Sequence, residues 1–165
     1  MDYMKKIYHF DSVRAPYIAD AGVLTCFDHR IHNVVRKFLR RRGIEQPDMV
    51  VVAGGAKTLA SPRNDFEQDF ILEQLRMSIC LHHTSRFLLT CHSDCATYGG
   101  LAFYDGDCEA EALHHAEELR RAARRVRATF PKLDVECYLF DFEGVWEVAE
   151  DATKVEYFDV APIGA

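Results

Sequence analysis

The sequence predicts an α/β fold: a central, mostly parallel β-sheet flanked by helices. Short apolar runs rich in β-branched residues alternate along the chain with longer stretches of helical period. Strand–helix–strand alternation of this kind implies parallel strands with helices on both faces. No repeat, low-complexity segment or Gly/Ser/Pro-rich linker divides the 165 residues, so 1–165 reads as a single domain.

The runs Ala21–Cys26, Asp48–Ala53, Arg86–Cys91 and Val135–Phe140 each fit a strand buried on both faces. Between the first two, a helix is expected over about His29–Arg42. Its Ile31, Val34, Val35, Phe38 and Leu39 form one apolar stripe, and Gly43 suits a left-handed helix end. A second helix is expected over Asp65–His83, capped by Asn64 with Glu67 three residues on. A third runs from about Cys108 to Thr129. Glu109 and Glu111 come early in it, and Arg124, Arg125 and Arg127 late, as the helix dipole favours. Pro131 follows its end. Val145–Val160 mixes apolar and acidic residues and leaves two readings open, an extra strand or a dimer contact.

The net charge of −6 gives no general attraction to nucleic acid or to an anionic membrane. No apolar run is long enough to span a bilayer. MDYMKKIYHF lacks the apolar core of a secretory signal, so a cytoplasmic location is expected. In a reducing compartment the six cysteines are expected as buried thiols or metal ligands, not disulfides.

In open parallel sheets, sites form at the carboxyl ends of strands. Two loops leave such ends with reactive side chains: Cys26-Phe27-Asp28-His29-Arg30 and Cys91-His92-Ser93-Asp94-Cys95. Neighbouring parallel strands would bring them together. His92 and Cys95 have the short H-x-x-C spacing that lets one loop supply two ligands, and Cys26 would be the third. Thiolate and imidazole favour zinc over magnesium or calcium, and three protein ligands leave a position open for water. One Zn2+ per chain is therefore expected.

With C-x-D-x-R reading CFDHR and H-x-x-C reading HSDC, the chain resembles the β-class carbonic anhydrases. Val50–Ala56 (VVVAGGA) lies where that family has an Arg-Asn-Ala-Gly stretch, and the resemblance extends over most of Ala21–Leu101. It implies a β-carbonic-anhydrase-like sheet and a zinc enzyme that interconverts carbon dioxide and bicarbonate. It implies a homodimer or higher homo-oligomer, with sites near the subunit interface. Cys26, His92 and Cys95 would be the ligands, and Asp28 and Arg30 the ion-paired dyad. Zinc would supply hydroxide from bound water, Asp28 would accept its hydrogen bond and aim it at carbon dioxide, and Arg30 would keep Asp28 ionised. The chain departs from the family pattern at Val52-Ala53, in place of Arg-Asn, and at Ala96, in place of glycine after the second cysteine. Residues 1–25 also hold no glutamine. Two alternatives are carried forward: a related hydrolase of carbonyl sulfide or carbon disulfide, and a catalytically silent zinc-binding relative.

Each residue also has a plainer reading. Asp28 is a favoured helix N-cap. His29 is a proton-shuttle candidate, with an exposed or structurally bonded histidine as the expectation. His82-His83 and His114-His115 are expected to face solvent or an interface, because adjacent helical residues do not share a face. Asp94 is either a loop residue or support for the metal ligands. Gly54-Gly55-Ala56-Lys57 lacks the spacing of a phosphate loop, and Gly99-Gly100 is expected in a tight turn. Cys91 should be buried on the side of its strand opposite His92. The arginines of Arg120–Arg127, offset by Glu117 and Glu118, read as a solvated face.

Overall fold

The computed structural model describes residues 4–150 of the chain. Its strands are β1 (Ala21–Cys26), β2 (Pro47–Val52), β3 (Arg86–His92), β4 (Asp134–Phe140) and β5 (Val145–Glu147). Its α-helices are α1 (His29–Arg41), α2 (Lys57–Ala60), α3 (Asp65–His82) and α4 (Cys108–Thr129). Two 3-10 turns, Ala96–Tyr98 and Leu101–Tyr104, join β3 to α4.

The five strands lie in the order β2-β1-β3-β4-β5. The first four are parallel, and β5 runs antiparallel to β4. The α/β expectation is thus met by a mostly parallel sheet. Short β5 takes up the strand reading of the C-terminal segment through Val145–Glu147. The remainder of that segment, from residue 151, lies outside the described residues.

Helix ends follow local chemistry. Gly43, at φ +71°, ends α1. The Gly43 N–H donates to Arg40 O and the Ile44 N–H to Leu39 O, the paired bonds of a Schellman end. Asn64 Oδ1 accepts from the Glu67 N–H at 3.0 Å, as a cap should. Glu67 reaches back one residue further than expected, to the Arg63 N–H. Asp107 caps α4 by accepting from the Glu109 and Ala110 N–H groups.

The chain turns one way from β1 to β2 and the other way from β2 to β3. Right-handed crossovers then place α1 on one face and α2, α3 and α4 on the other. Phe38 of α1 meets Tyr138 and Phe140 edge-on, at ring-centre distances of 4.8 and 5.5 Å. Their neighbour Cys137 points the opposite way, toward Leu119 of α4. β1 is wholly buried and β3 nearly so, between these two layers.

β2 differs from its expectation. It is an edge strand, not one buried on both faces, and Met49 and Val51 stay 40% and 44% exposed. Among the described residues α1 is the helix on this face, and its Phe38 packs on β4, which leaves β2 only partly covered. Pro47 at its first position fits an edge, where a missing N–H leaves no ladder bond unmade.

Candidate metal centre

β1 and β3 are adjacent and parallel, and the chain leaves their carboxyl ends in opposite directions. This is the topological switch point, where loops diverge and leave room for a ligand. It brings the CFDHR and HSDC loops together.

Cys26 ends β1, His92 ends β3, and Cys95 follows the turn after it. One ligand atom from each lies within 4.8 Å of the others, and all three residues are buried. No other trio of Cys, His, Asp or Glu side chains converges in this way among the described residues.

These atoms suit a soft cation. His92 Nδ1 is 2.8 Å from the Ser93 carbonyl oxygen. A carbonyl only accepts, so Nδ1 carries the proton and Nε2 presents its lone pair. His92 is 1% exposed, and that Nε2 has no hydrogen-bond partner. Buried nitrogens are seldom left so, and a metal between the two sulfurs would satisfy it. The Gly54 N–H donates to Cys26 Sγ at 3.3 Å, and the Thr97 hydroxyl lies 3.1 Å from Cys95 Sγ. Contact with Cys26, then the nearby His92 and Thr97, holds the Cys95 thiol well below the ordinary range despite burial. The same contact and burial push Cys26 up. A cation held by both sulfurs would take them as thiolates and release their protons.

The glycine segment is what lets β2 approach the site. Gly55, at φ +55°, packs against the Thr90 carbonyl and the Cys26 backbone, and the Ala56 N–H donates to Thr90 O. The side chains of Val52 and Ala53 bring no polar group here, while the Val52 carbonyl accepts from the Phe27 and Gly55 N–H groups. The backbone of Gly54 and Gly55 makes these contacts, as glycine permits.

Asp28 combines both of its readings. Its Oδ1 accepts from the Arg30 N–H at 2.9 Å and caps α1. Its carboxylate also faces the Arg30 guanidinium, with Nη2 to Oδ2 at 2.7 Å and Nε 3.1 Å from each oxygen. The Arg30 contact keeps Asp28 far below the usual carboxylate range, and Asp28 in turn raises Arg30. Oδ2 lies 3.9 Å from His92 Nε2.

Asp94 is more than a loop residue. Arg30 Nη1 donates to its Oδ2 at 2.8 Å and Nη2 to its carbonyl oxygen at 2.9 Å. The Leu101 N–H donates to Oδ1, and its own N–H donates to Glu111 Oε1. Its φ is +52°. Gly99 and Gly100 form the tight turn beside it, both at positive φ.

Cys91 is buried and points to Tyr98, away from the His92 side. His82 bonds Asp48 at the opposite end of the sheet, and His83 ends α3 in the left-handed conformation. His29 and His114 are exposed. His115 corrects its expectation: it is 0% exposed, under Tyr98 and beside Glu111. Glu118 is corrected too. It is 3% exposed and accepts from Tyr98, Ser61 and Arg121. Both lie on the face of α4 that packs on the sheet and α2, a face the arginine pattern hid. Thr97 and Glu111 also touch the site without having been singled out for it. Thr97 had a signal in its place two residues after a ligand, whereas Glu111 had none.

The fold resembles the solved carbonic anhydrase of Streptococcus mutans, with a TM-score of 0.57 and 16% identity over 84% of this chain and 88% of that one. It also resembles the β-carbonic anhydrase CafA of Aspergillus fumigatus, at 0.56 and 12% identity over 82% and 77%. The isoform I β-carbonic anhydrase of Trichomonas vaginalis matches at 0.53 and 14%, over 85% and 87%. By sequence, an uncharacterized protein of Rickettsia bellii is 24% identical over 132 residues, 78% of this chain and 80% of that protein. Residues 19–150 match the family described as "Putative carbonic anhydrase", and the chain belongs to that family.

Proposed function

We propose that this chain is a zinc enzyme that interconverts carbon dioxide and bicarbonate. The observation that carries the reading is the unpartnered, buried His92 Nε2, set between Cys26 and Cys95 and 3.9 Å from Asp28 Oδ2. Cys26, His92 and Cys95 would hold the ion. Zinc, when bound, lowers the pKa of water and so supplies hydroxide at neutral pH.

The chain's own residues do the orienting. Asp28, kept ionised by Arg30, can only accept a hydrogen bond. It therefore turns the proton of any O–H group beside His92 Nε2 toward itself and the oxygen lone pair away. Arg30 fixes the carboxylate through a forked, charge-assisted contact. The burial of the three ligands keeps bulk water from their inner side.

We also propose a homo-oligomer. Residues 4–18 form no helix or strand, and they expose Met4, Ile7, Tyr8, Phe10, Val13 and Ile18. An apolar arm of this kind, together with the uncovered Met49 and Val51, supports association with a second copy. Sedimentation would show a species heavier than the 18.9 kDa chain; a monomer at all concentrations would reject it.

The deciding experiment measures zinc content and carbon dioxide hydration on the wild type and on Cys95→Ser. One zinc per chain with hydration activity, both lost in the variant, supports the proposal. Stoichiometric zinc without hydration would turn the assignment to carbonyl sulfide, carbon disulfide or a silent zinc site. Absence of zinc under non-chelating conditions would reject it.

A further inference from the structure

Asp94 stands between His92 and Cys95, and each of its polar groups is engaged. Its N–H goes to Glu111, Oδ1 to the Leu101 N–H, and Oδ2 and the carbonyl oxygen to Arg30. Such complete use is unusual for a side chain that is 43% exposed. Its left-handed φ of +52° costs free energy for a non-glycine residue and persists because the surroundings over-determine it.

Those surroundings reach deep into the fold. Glu111, 2% exposed on α4, has His115 Nε2 at 3.5 Å and gives Oε1 to the Asp94 N–H at 2.8 Å. Gly100 lies so close that a β-carbon there would sit 2.9 Å from Asp94 Oδ1. The anchoring end of Asp94 is therefore fixed to α4 and to the turn, and the other end holds Arg30.

Arg30 needs that hold. Its side chain is 44% exposed, and an isolated ion pair in such a place is weak and mobile. Here the guanidinium has Asp28 on one edge, Asp94 on the other, and the Phe142 ring 5.3 Å from its central carbon. With Arg30 so placed, both oxygens of Asp28 are drawn to the guanidinium. Oδ2, so held, stands 3.9 Å from one of the ligand atoms, His92 Nε2. A carboxylate released at that distance is itself a competent zinc ligand.

We propose that Asp94, anchored by Glu111 and the Leu101 N–H, is a positioning residue that holds Arg30 on Asp28 and so keeps the Asp28 carboxylate from taking the metal's open position. This rests on the reading of Cys26, His92 and Cys95 as metal ligands. Asp94 acts through Arg30 and touches no reacting atom. A merely structural Asp94 would affect stability and metal content together and leave the ligand set of a bound ion unchanged.

The test uses cobalt(II) in place of zinc, because its visible bands report the fourth ligand and its thiolate charge-transfer band reports the cysteines. Azide serves as a small anion that competes for the open position. Wild type should bind one cobalt and shift its visible bands as azide is added. Asp94→Ala should keep the charge-transfer band yet bind azide at least about tenfold more weakly, the scale typical of outer-sphere partners. Adding Asp28→Asn to Asp94→Ala should restore the azide response, since the competing carboxylate is gone. Asp94→Asn keeps an acceptor for the Leu101 N–H and loses only the charge facing Arg30. It should weaken azide in the same direction, and it carries the test should the alanine variant fail to fold.

An azide response equal to wild type in the folded Asp94 variants overturns the proposal and leaves the metal site standing. Weak azide binding that Asp28→Asn does not restore also overturns it. A wild type that takes up no cobalt overturns the metal site itself, and the proposal with it.

Discussion

Gly55 lies against Thr90 so closely that a β-carbon on it would sit 2.5 Å from the Thr90 carbonyl oxygen and 2.9 Å from the Cys26 nitrogen. This contact seats the β2 loop on the ends of β1 and β3, where two of the ligand residues stand. Gly55→Ala is expected to destabilise the fold by about 2 kcal/mol or more, from left-handed strain plus the clash. Gly43→Ala is the control: its φ is also positive, but a β-carbon there meets nothing within 4 Å. It should cost only the backbone strain, about 1 kcal/mol. Denaturant melts of both variants give the comparison, and zinc content should fall in Gly55→Ala alone.

Metal removal should be read directly in stability. A ligand that binds only the folded chain adds about 2.7 kcal/mol at one hundred times its Kd. The melting temperature of the wild type should therefore fall when a chelator strips the zinc and return on adding zinc. Cys95→Ser should show little response to either treatment. A wild type indifferent to chelator and to zinc would contradict the ligand assignment.

The Asp28–Arg30 pair should matter for turnover more than for metal retention. Asp28→Asn keeps the cap on α1 through its amide oxygen but removes the charge that pairs with Arg30 and orients the O–H group. Hydration should fall by roughly 10–100-fold with zinc content unchanged. Arg30→Lys should resemble Arg30→Ala, because an ammonium cannot fork across Asp28 and Asp94 together. A lysine variant with wild-type turnover would show that charge alone suffices.

Acid sensitivity should trace in part to His115. Burial first, then the neighbouring His114, lowers its pKa from 6.5 to about 4. The unfolded chain therefore binds a proton that the folded one refuses between those values. Stability falls as pH drops through this window and is spared above it. From pH 7 to pH 5 this amounts to about 2 kcal/mol. Burial raises the Glu111 carboxyl and works in the opposite sense, but Glu111 is common to both proteins in the comparison. Urea melts should show wild type losing about 2 kcal/mol more than His115→Gln between pH 7 and pH 5. Equal losses would mean that His115 is reached by solvent.

Much of the fold is legible in the sequence, for local reasons. The helix α1, the Asn64 cap and the Gly43 end all depend on neighbours within a turn or two, and each stands where spacing put it; of the α1 stripe, Ile31, Val35 and Leu39 are buried, whereas Val34 is 42% exposed. β2 was legible as a strand but not as an edge, since burial depends on what covers it. Residue type alone does not reveal the burial of Glu111, Glu118 and His115, because charged residues usually face water. Their burial follows from the packing of α4 on α2 and the sheet, which no local pattern displays.

By itself the sequence determined the backbone alternation and the chemistry of the two loops: which residues are thiols, imidazole, carboxylate and guanidinium, and that parallel strands would carry them to one end. Those properties are written in residue type and short spacing. Only the tertiary structure decided that Asp28 is at once cap and ion-pair partner, that Asp94 grips Arg30 from the other loop, and that glycine backbone, not a side chain, closes the third side of the site. The Asp28–Arg30 contact spans only two residues, but the Asp94 and glycine contacts join segments distant in the chain, and their existence depends on the angles and separations at which β1, β3 and α4 pack.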